Sequence, residues 1–542
     1  MKATATTGPE FGWLRRLFWP IHRIEIKKFL PMFLIYSLIV FNYSLLRAAK
    51  DSLLITAPQS GAMVIPYIKV WLILPMAFLS TLIFTRLSNK YNREKVFYIM
   101  MSSFIAFFFI FGFILYPLQN HLHPHLLADK FQKYLPVGMQ GLVAIFRNWT
   151  YSLFYVMSEL WGTLIMHVLF WGFANEVTSV KEAKRFYSIL GVGANLATIC
   201  AGFIGILLSS EYLYSKIFFA TDRWGQSLMS ITSVIVIIGF VILILYRWLT
   251  HTTFQKEIVE SHPMSDSQAG DSLGEASSMK NSQRGNSKPN PIKMGMRKNF
   301  AYLAKSKYLI CIAILVLAYN LSLNLVEVIW KDQVLQLCPY PADYNIYMDK
   351  VLIYIGVTSA IFGFFFCGQV IRRFGWATGA YLTPIILFIS GMLFFTTLFW
   401  KDHHFIQSAG LFFGCTPLAL CVFLGAIQNT LSRASKFTFF DITKEIAFIP
   451  LSPESKLKGK AAIDGVGSRL GKSGGSVFHQ SLLMFFGTIA MSTPFVAVIL
   501  ALVFGAWMWA VRSLGFQFAE LSPDSPPESA PIKRTEPATQ GA

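Results

Sequence analysis

Four ionisable residues stand inside stretches that are otherwise apolar: Lys50, Glu159, Glu327 and Lys472, with Lys69 as a fifth. A charge at the centre of an apolar helix costs about 2.5–3.5 kcal/mol on insertion scales, so each needs a partner, a water-filled cavity or a ligand. Two ammonium groups on one path suit phosphate, and two carboxylates beside them suit other polar ligand groups or a coupling proton. The plainer alternative makes Lys50 with Glu159, and Lys472 with Glu327, buried pairs that only fix helix positions. Arg47 and Lys69 lie nearer helix ends, where long side chains can snorkel to the interface. Arg469 adds a positive charge close to Lys472.

Other motifs carry less. GVGSRLGKSGG at 465–475 ends like a phosphate-binding loop, but the opening glycine of that motif falls on Val466 and no strand precedes it. It reads instead as a helix whose small residues admit a close neighbour, leaving Lys472 as a point charge. His121, His123 and His125 alternate as metal ligands can, but no cysteine or acid stands close by, and a hydrophilic loop around Pro124 is the expectation. His167 and His479 are expected as hydrogen-bonded core residues. The cysteines have no ligand spacing, so no metal, cofactor or catalytic residue is assigned.

The elements that must position these charges are membrane helices. Of 542 residues, 54% are hydrophobic and 14% charged, with mean hydropathy +0.50, more apolar surface than a water-soluble fold can hide. The formal charge of +19 is placed mainly in loops, and a nucleic-acid partner is not expected. Runs long enough to span a bilayer lie at 29–56, 64–84, 96–116, 151–171, 186–208 and 228–249, then at 308–330, 351–371, 381–400, 409–431, 466–486 and 494–511. An all-α membrane protein of about twelve helices follows.

Lysine and arginine collect on one side: at Arg15, Arg16, Lys27 and Lys28 before the first run, at 86–95 after the second, at 181–185 after the fourth, at 372–373 after the eighth, and at 456–460 before the eleventh. The positive-inside rule puts both termini in the cytoplasm. The sequence echoes itself, FNYSL at 41–45 against YNLSL at 319–323 and GVGAN at 191–195 against GVGSR at 465–469. RLSNKYNREK at 86–95 and IRRFGW at 371–376 share one slot, which suggests six helices plus six in a major-facilitator-like layout. The expected units are a cytoplasmic segment 1–28, a first half 29–249, a Ser-, Gly- and Asn-rich linker 250–307, a second half 308–514 and a disordered tail 515–542.

With these motifs in view, the chain resembles the ATP/ADP translocase family of plastids and obligate intracellular bacteria. The likeness rests on FWPIH at 18–22, LRAAKD at 46–51, SELWG at 158–162, FWGFANE at 170–176, NLVEV at 324–328, FDITKE at 440–445, KGKAAID at 458–464 and GKSGG at 471–475. It implies a major-facilitator type of fold and places the family's four transport charges on Lys50, Glu159, Glu327 and Lys472. It also implies a nucleotide substrate: ATP and ADP, with GTP, CTP, UTP and protons as further candidates.

Two departures make the local site more positive. Family exchangers read LRDTKD where this chain has Ala48 and Ala49, and they lack a basic residue at Arg469. ATP-for-ADP exchange by alternating access, in a bacterial inner membrane rather than a plastid envelope and by a monomer, is the expectation. Proton-coupled import of several triphosphates stays open beside it. A membrane enzyme would need a soluble catalytic domain or an acidic metal-binding pair at the cytoplasmic face, and a non-transporting nucleotide receptor a regulatory domain larger than the linker.

Overall fold

The computed structural model describes residues 21–22, 25–216, 222–251, 306–363, 367–452 and 468–521, with Ser455, Gly459 and Ile463. Among these residues the chain is helical, with no strand. The long helices are α1 Ile26–Ile55, α2 Val64–Lys90, α3 Arg93–Leu115, α4 Trp149–Val177, α5 Val180–Leu208 and α6 Arg223–Leu249. After an interval that includes most of the expected linker and lies outside the described residues come α7 Lys307–Leu337, α8 Pro341–Ile361, α9 Cys367–Phe399, α10 Pro417–Ala447, α11 Ser468–Phe486 and α12 Ile489–Leu521.

Nine of these helices are long and apolar enough to cross a bilayer, ten if the short helix His404–Phe412 and α10 form one bent span. Twelve such spans were expected, and α8 and α11 fall short because each is too rich in polar residues. The eighth helix also starts at Pro341, ten residues before the expected run, and takes in Asp343 and Asp349. Those acids are tolerated because they meet protein: Asp343 pairs with Arg223 at 3.0 Å, and Asp349 lies against Gly205 of α5. Gly375, at φ +86°, breaks α9 within the basic stretch, a conformation that excludes most side chains.

Apolar side chains face outwards as well as inwards. Over Leu74–Lys90 of α2 only Ser80 is buried, while Phe78, Leu79, Leu82 and Ile83 are exposed. A surface of this kind belongs in hydrocarbon. The protein is a multi-pass membrane protein.

The packing repeats. In the N-terminal part, residues 25–251, α1 packs on α4, α5 and α6; in the C-terminal part, residues 306–521, α7 packs on α10, α11 and α12. Between the parts α5 lies along α8, and α11 along the start of α2, so the fifth helix of each set meets the second of the other. Among the described residues, a group of polar contacts joins the parts near the end of the molecule where α1 finishes, the Pro58 end. There Ser52 donates to Asn345 at 3.1 Å, and the Asn345 amide donates to Ser209 at 3.0 Å and Asp349 at 2.8 Å.

At the opposite, Glu25 end, the base of α1 is tied within its own part. Arg185 pairs with Glu25 at 2.5 Å and Lys28 with Glu182 at 3.2 Å. Ser179 and Glu182 form a capping box at the start of α5. Partial burial pushes the Glu182 carboxyl up, but the Ser179 hydrogen bonds and Lys28 outweigh it and hold the group below the usual carboxylate range. Its contribution is therefore full at neutral pH and fades as pH falls through the lowered folded value. Ser179→Ala should cost about 1 kcal/mol of stability. Thermal melts in detergent should show the deficit at pH 7 and a smaller one at acidic pH.

The histidine cluster departs from the expected loop. His123 is buried, its Nε2 is 2.6 Å from Thr150 Oγ1, and short helices, Gln119–Leu122 and His125–Tyr134, flank it. Burial, then the neighbouring His125, push the His123 imidazole down to about 4, so it is neutral at physiological pH.

Candidate functional site

The charged residues converge where α1, α2, α4, α7 and α10 meet. On α1, Lys50 Nζ lies 3.0 Å from Asp51 Oδ1 and 3.0 Å from Glu159 Oε1 of α4, with the Tyr155 ring centroid 3.9 Å away. Asp51 Oδ2 accepts from Lys331 Nζ of α7 at 2.8 Å. Lys331 also reaches Glu327 Oε1, one turn earlier on the same helix, at 3.0 Å. That oxygen takes Arg433 Nη2 of α10 at 3.1 Å, and Glu327 Oε2 faces Lys69 Nζ of α2 at 3.8 Å.

Neutral amides complete the shell. Lys69 donates to Asn324 at 2.7 Å, and Arg433 to Asn429 at 2.8 Å. Asn320, Asn324, Glu327 and Lys331 are spaced by four, three and four residues, which aligns them as one stripe on α7. Gly471 and Gly475 of α11 press against Asn320 and Asn324, where an added Cβ would come within 2.9 Å and 3.2 Å of their Cβ atoms. Small residues thus let α11 approach the stripe, as its composition suggested. π-Helical turns begin at Lys69 and at Trp161, two residues beyond Glu159, and widen α2 and α4 beside the cluster.

Of the residues singled out from sequence, Lys50, Glu159, Glu327 and Lys69 belong to this network. Lys69 does not snorkel; it is held by Asn324 and Glu327. Arg47 and Ala48 line a crevice between the parts with Glu327, Met348, Asn429 and Arg433. The backbone of Lys472 and Arg469 belongs to α11, but their side chains lie outside the described residues. Glu327 takes Lys331, Arg433 and Lys69 as partners, and Lys50 pairs with Glu159.

Asp51, Lys331 and Arg433 were not singled out from sequence. Lys331 carried a legible signal, its position four residues after Glu327, which makes a facing pair on a helix. His479 departs from the expectation of a hydrogen-bonded residue. It is buried on α11, seven residues past Lys472, and among the described residues neither ring nitrogen has a partner. His167 does bond, its Nδ1 2.6 Å from the Gly162 carbonyl oxygen.

Among the described residues the cluster has five cations, Arg47, Lys50, Lys69, Lys331 and Arg433, against three carboxylates, Asp51, Glu159 and Glu327. Each carboxylate is taken by at least one ammonium or guanidinium group. An uncompensated positive excess in a protein-lined site attracts a polyanion far more strongly than it would in water.

Against known families, the model described as TLC ATP/ADP transporter matches residues 4–518. The chain belongs to the TLC ATP/ADP transporter family. ADP,ATP carrier protein 1 of Chlamydia trachomatis serovar D is 42% identical over 549 residues, with 99% of both chains covered. ADP,ATP carrier protein 1, chloroplastic, of Arabidopsis thaliana is 39% identical, covering 92% of this chain and 74% of its own. Among solved structures, a bacterial metal transporter is similar with a TM-score of 0.48 at 13% identity, covering 92% of this chain and 99% of that one. A D-xylose-proton symporter gives 0.45 at 12% identity, covering 90% and 97%.

Proposed function

We propose that this chain exchanges ATP for ADP by alternating access, with Lys50, Lys331 and Lys472 as cations for the phosphate chain and Glu159 and Glu327 completing the site and its gates. The observation that carries this reading is the excess of cations at the junction of the two parts, in a chain of this family. Relatives named ADP,ATP carriers supply the identity of the anion.

The moving bodies are the halves 29–249 and 308–514, arranged six plus six as in major-facilitator proteins. The reciprocal packing of fifth on second helices supports that symmetry. The described lysine- and arginine-rich loops at 86–95 and 181–185 lie at the Glu25 end, which supports that end as cytoplasmic and the Pro58 end as the closed outer side. A bacterial inner membrane suits this orientation. One chain suffices, since the cluster is built from five helices of a single chain.

Uptake of labelled ATP into proteoliposomes tests the reading. The vesicles are empty, loaded with ADP, or empty under an inward proton gradient, with GTP, CTP and UTP run in parallel. ATP is expected to enter only vesicles that hold ADP. Entry of several triphosphates into empty vesicles under the gradient would make the protein a net importer, and no uptake in any arm would remove transport.

A further inference from the structure

We propose that Asp51 is the coupling residue of this exchanger: a built-in counter-anion that ties the two parts together through Lys331 until a substrate phosphate takes over its cations. The inference rests on the exchange reading above.

Asp51 belongs to the N-terminal part, and its carboxylate is shared across the junction. Oδ1 holds Lys50 of its own part at 3.0 Å, and Oδ2 holds Lys331 of the other at 2.8 Å. The three side chains form the most deeply buried layer of the cluster, 1% exposed at Asp51, 3% at Lys50 and 2% at Lys331. Glu159 and Lys69 are 29% and 20% exposed. An anion entering the cluster therefore meets the partly open charges first and the sealed layer last.

A phosphate and a carboxylate are the same kind of ligand to an ammonium group, both offering charged oxygens at hydrogen-bond distance. A phosphate brought to Lys50 and Lys331 would lie beside the Asp51 carboxylate, and like charges in a site shielded from water repel strongly. Phosphate binding and the Asp51–Lys331 tie thus oppose each other. Linkage makes that opposition mutual: the tie weakens substrate binding, and bound substrate weakens the tie.

Parting the Pro58 end requires this bond to break. In the empty carrier no other anion takes the place of Asp51 beside Lys331, which keeps only Glu327 of its own part, and losing a buried partner is costly. In the loaded carrier the phosphate replaces it. A carrier that reorients only when loaded is an obligate exchanger, and Asp51 supplies the penalty on empty reorientation.

The test uses the full-length protein in proteoliposomes loaded with labelled ATP, with efflux followed into buffer containing or lacking ADP. Asp51→Asn is expected to raise efflux into ADP-free buffer about tenfold or more over the unsubstituted protein, so that added ADP accelerates it little. Co-loaded labelled sucrose should stay inside, which separates carrier movement from leaky vesicles. Efflux that still depends on ADP as in the unsubstituted protein would overturn the proposal.

If Asp51→Asn does not assemble, Asp51→Ser, a smaller neutral replacement that leaves Lys50 and Lys331 in place, is read by the same ratio. A second variant that also fails to assemble makes Asp51 a folding residue and likewise overturns the proposal. Absence of ADP-stimulated efflux from the unsubstituted protein would instead remove the exchange reading, whatever the variants do.

Discussion

Lys50→Ala is expected to reduce ATP–ADP exchange by about two to three orders of magnitude, the scale of losing one partner of a buried, hydrogen-bonded charge pair. Its ammonium group is the only cation in the described cluster that holds Asp51 and Glu159 together, and it does so over the Tyr155 ring. Part of the loss would come from stability, since deleting one member of a buried pair costs about 3–5 kcal/mol. Asp51 keeps Lys331, so Glu159 is the group left short.

Pairing Lys50→Met with Glu159→Gln separates the two effects. The neutral pair strands no carboxylate, and its melting temperature in detergent should return most of the way to that of the unsubstituted protein. Exchange should stay absent, because no cation has been restored. Recovery of exchange along with stability would make Lys50 a structural residue and return the site to the plainer reading of buried pairs.

How much of this cluster was legible in the sequence follows from where its charges stand. Lys50, Glu159 and Glu327 interrupt apolar runs, so the cost of burying them announced them. Lys331 and Arg433 stand one and two residues beyond the runs that end at 330 and 431, so neither interrupts an apolar run. In the structure α7 continues to Leu337 and α10 to Ala447. Hydropathy ends a span where charge begins, but a helix lined by protein does not have to end there. Asp51 stands next to Lys50 in LRAAKD, and nothing in its spacing points to Lys331, 280 residues further on; only the fold brings its second oxygen onto the other part.

The fold was legible to a similar depth. Nine of the expected spans lie on helices that qualify as membrane-crossing, with bounds that move by a few residues at most ends. The eighth moved by ten because its acids face Arg223 and Gly205 rather than lipid. A hydropathy pattern reports the average surroundings of a helix, and the start of α8 has protein groups to meet its acids.

Glu327→Gln is expected to split binding from turnover. Among the described residues Glu327 is the one carboxylate shared by Lys331, Arg433 and Lys69, so the substitution leaves the cluster one charge more positive without changing its shape. A unit charge acting over ~8 Å at an effective dielectric of ~20 is worth about 2 kcal/mol, so ATP should bind about tenfold to thirtyfold more tightly. Tighter binding in the resting state does not speed a carrier. Lys331 keeps Asp51, but Arg433 and Lys69 now rely on the substrate for neutralisation, its release becomes slow, and exchange should fall about a hundredfold. Titration of ATP binding in detergent, together with exchange in proteoliposomes, reads both numbers on one preparation. Weaker binding with slower exchange would assign Glu327 to direct contact with the nucleotide, and no change in either would leave it a helix tie.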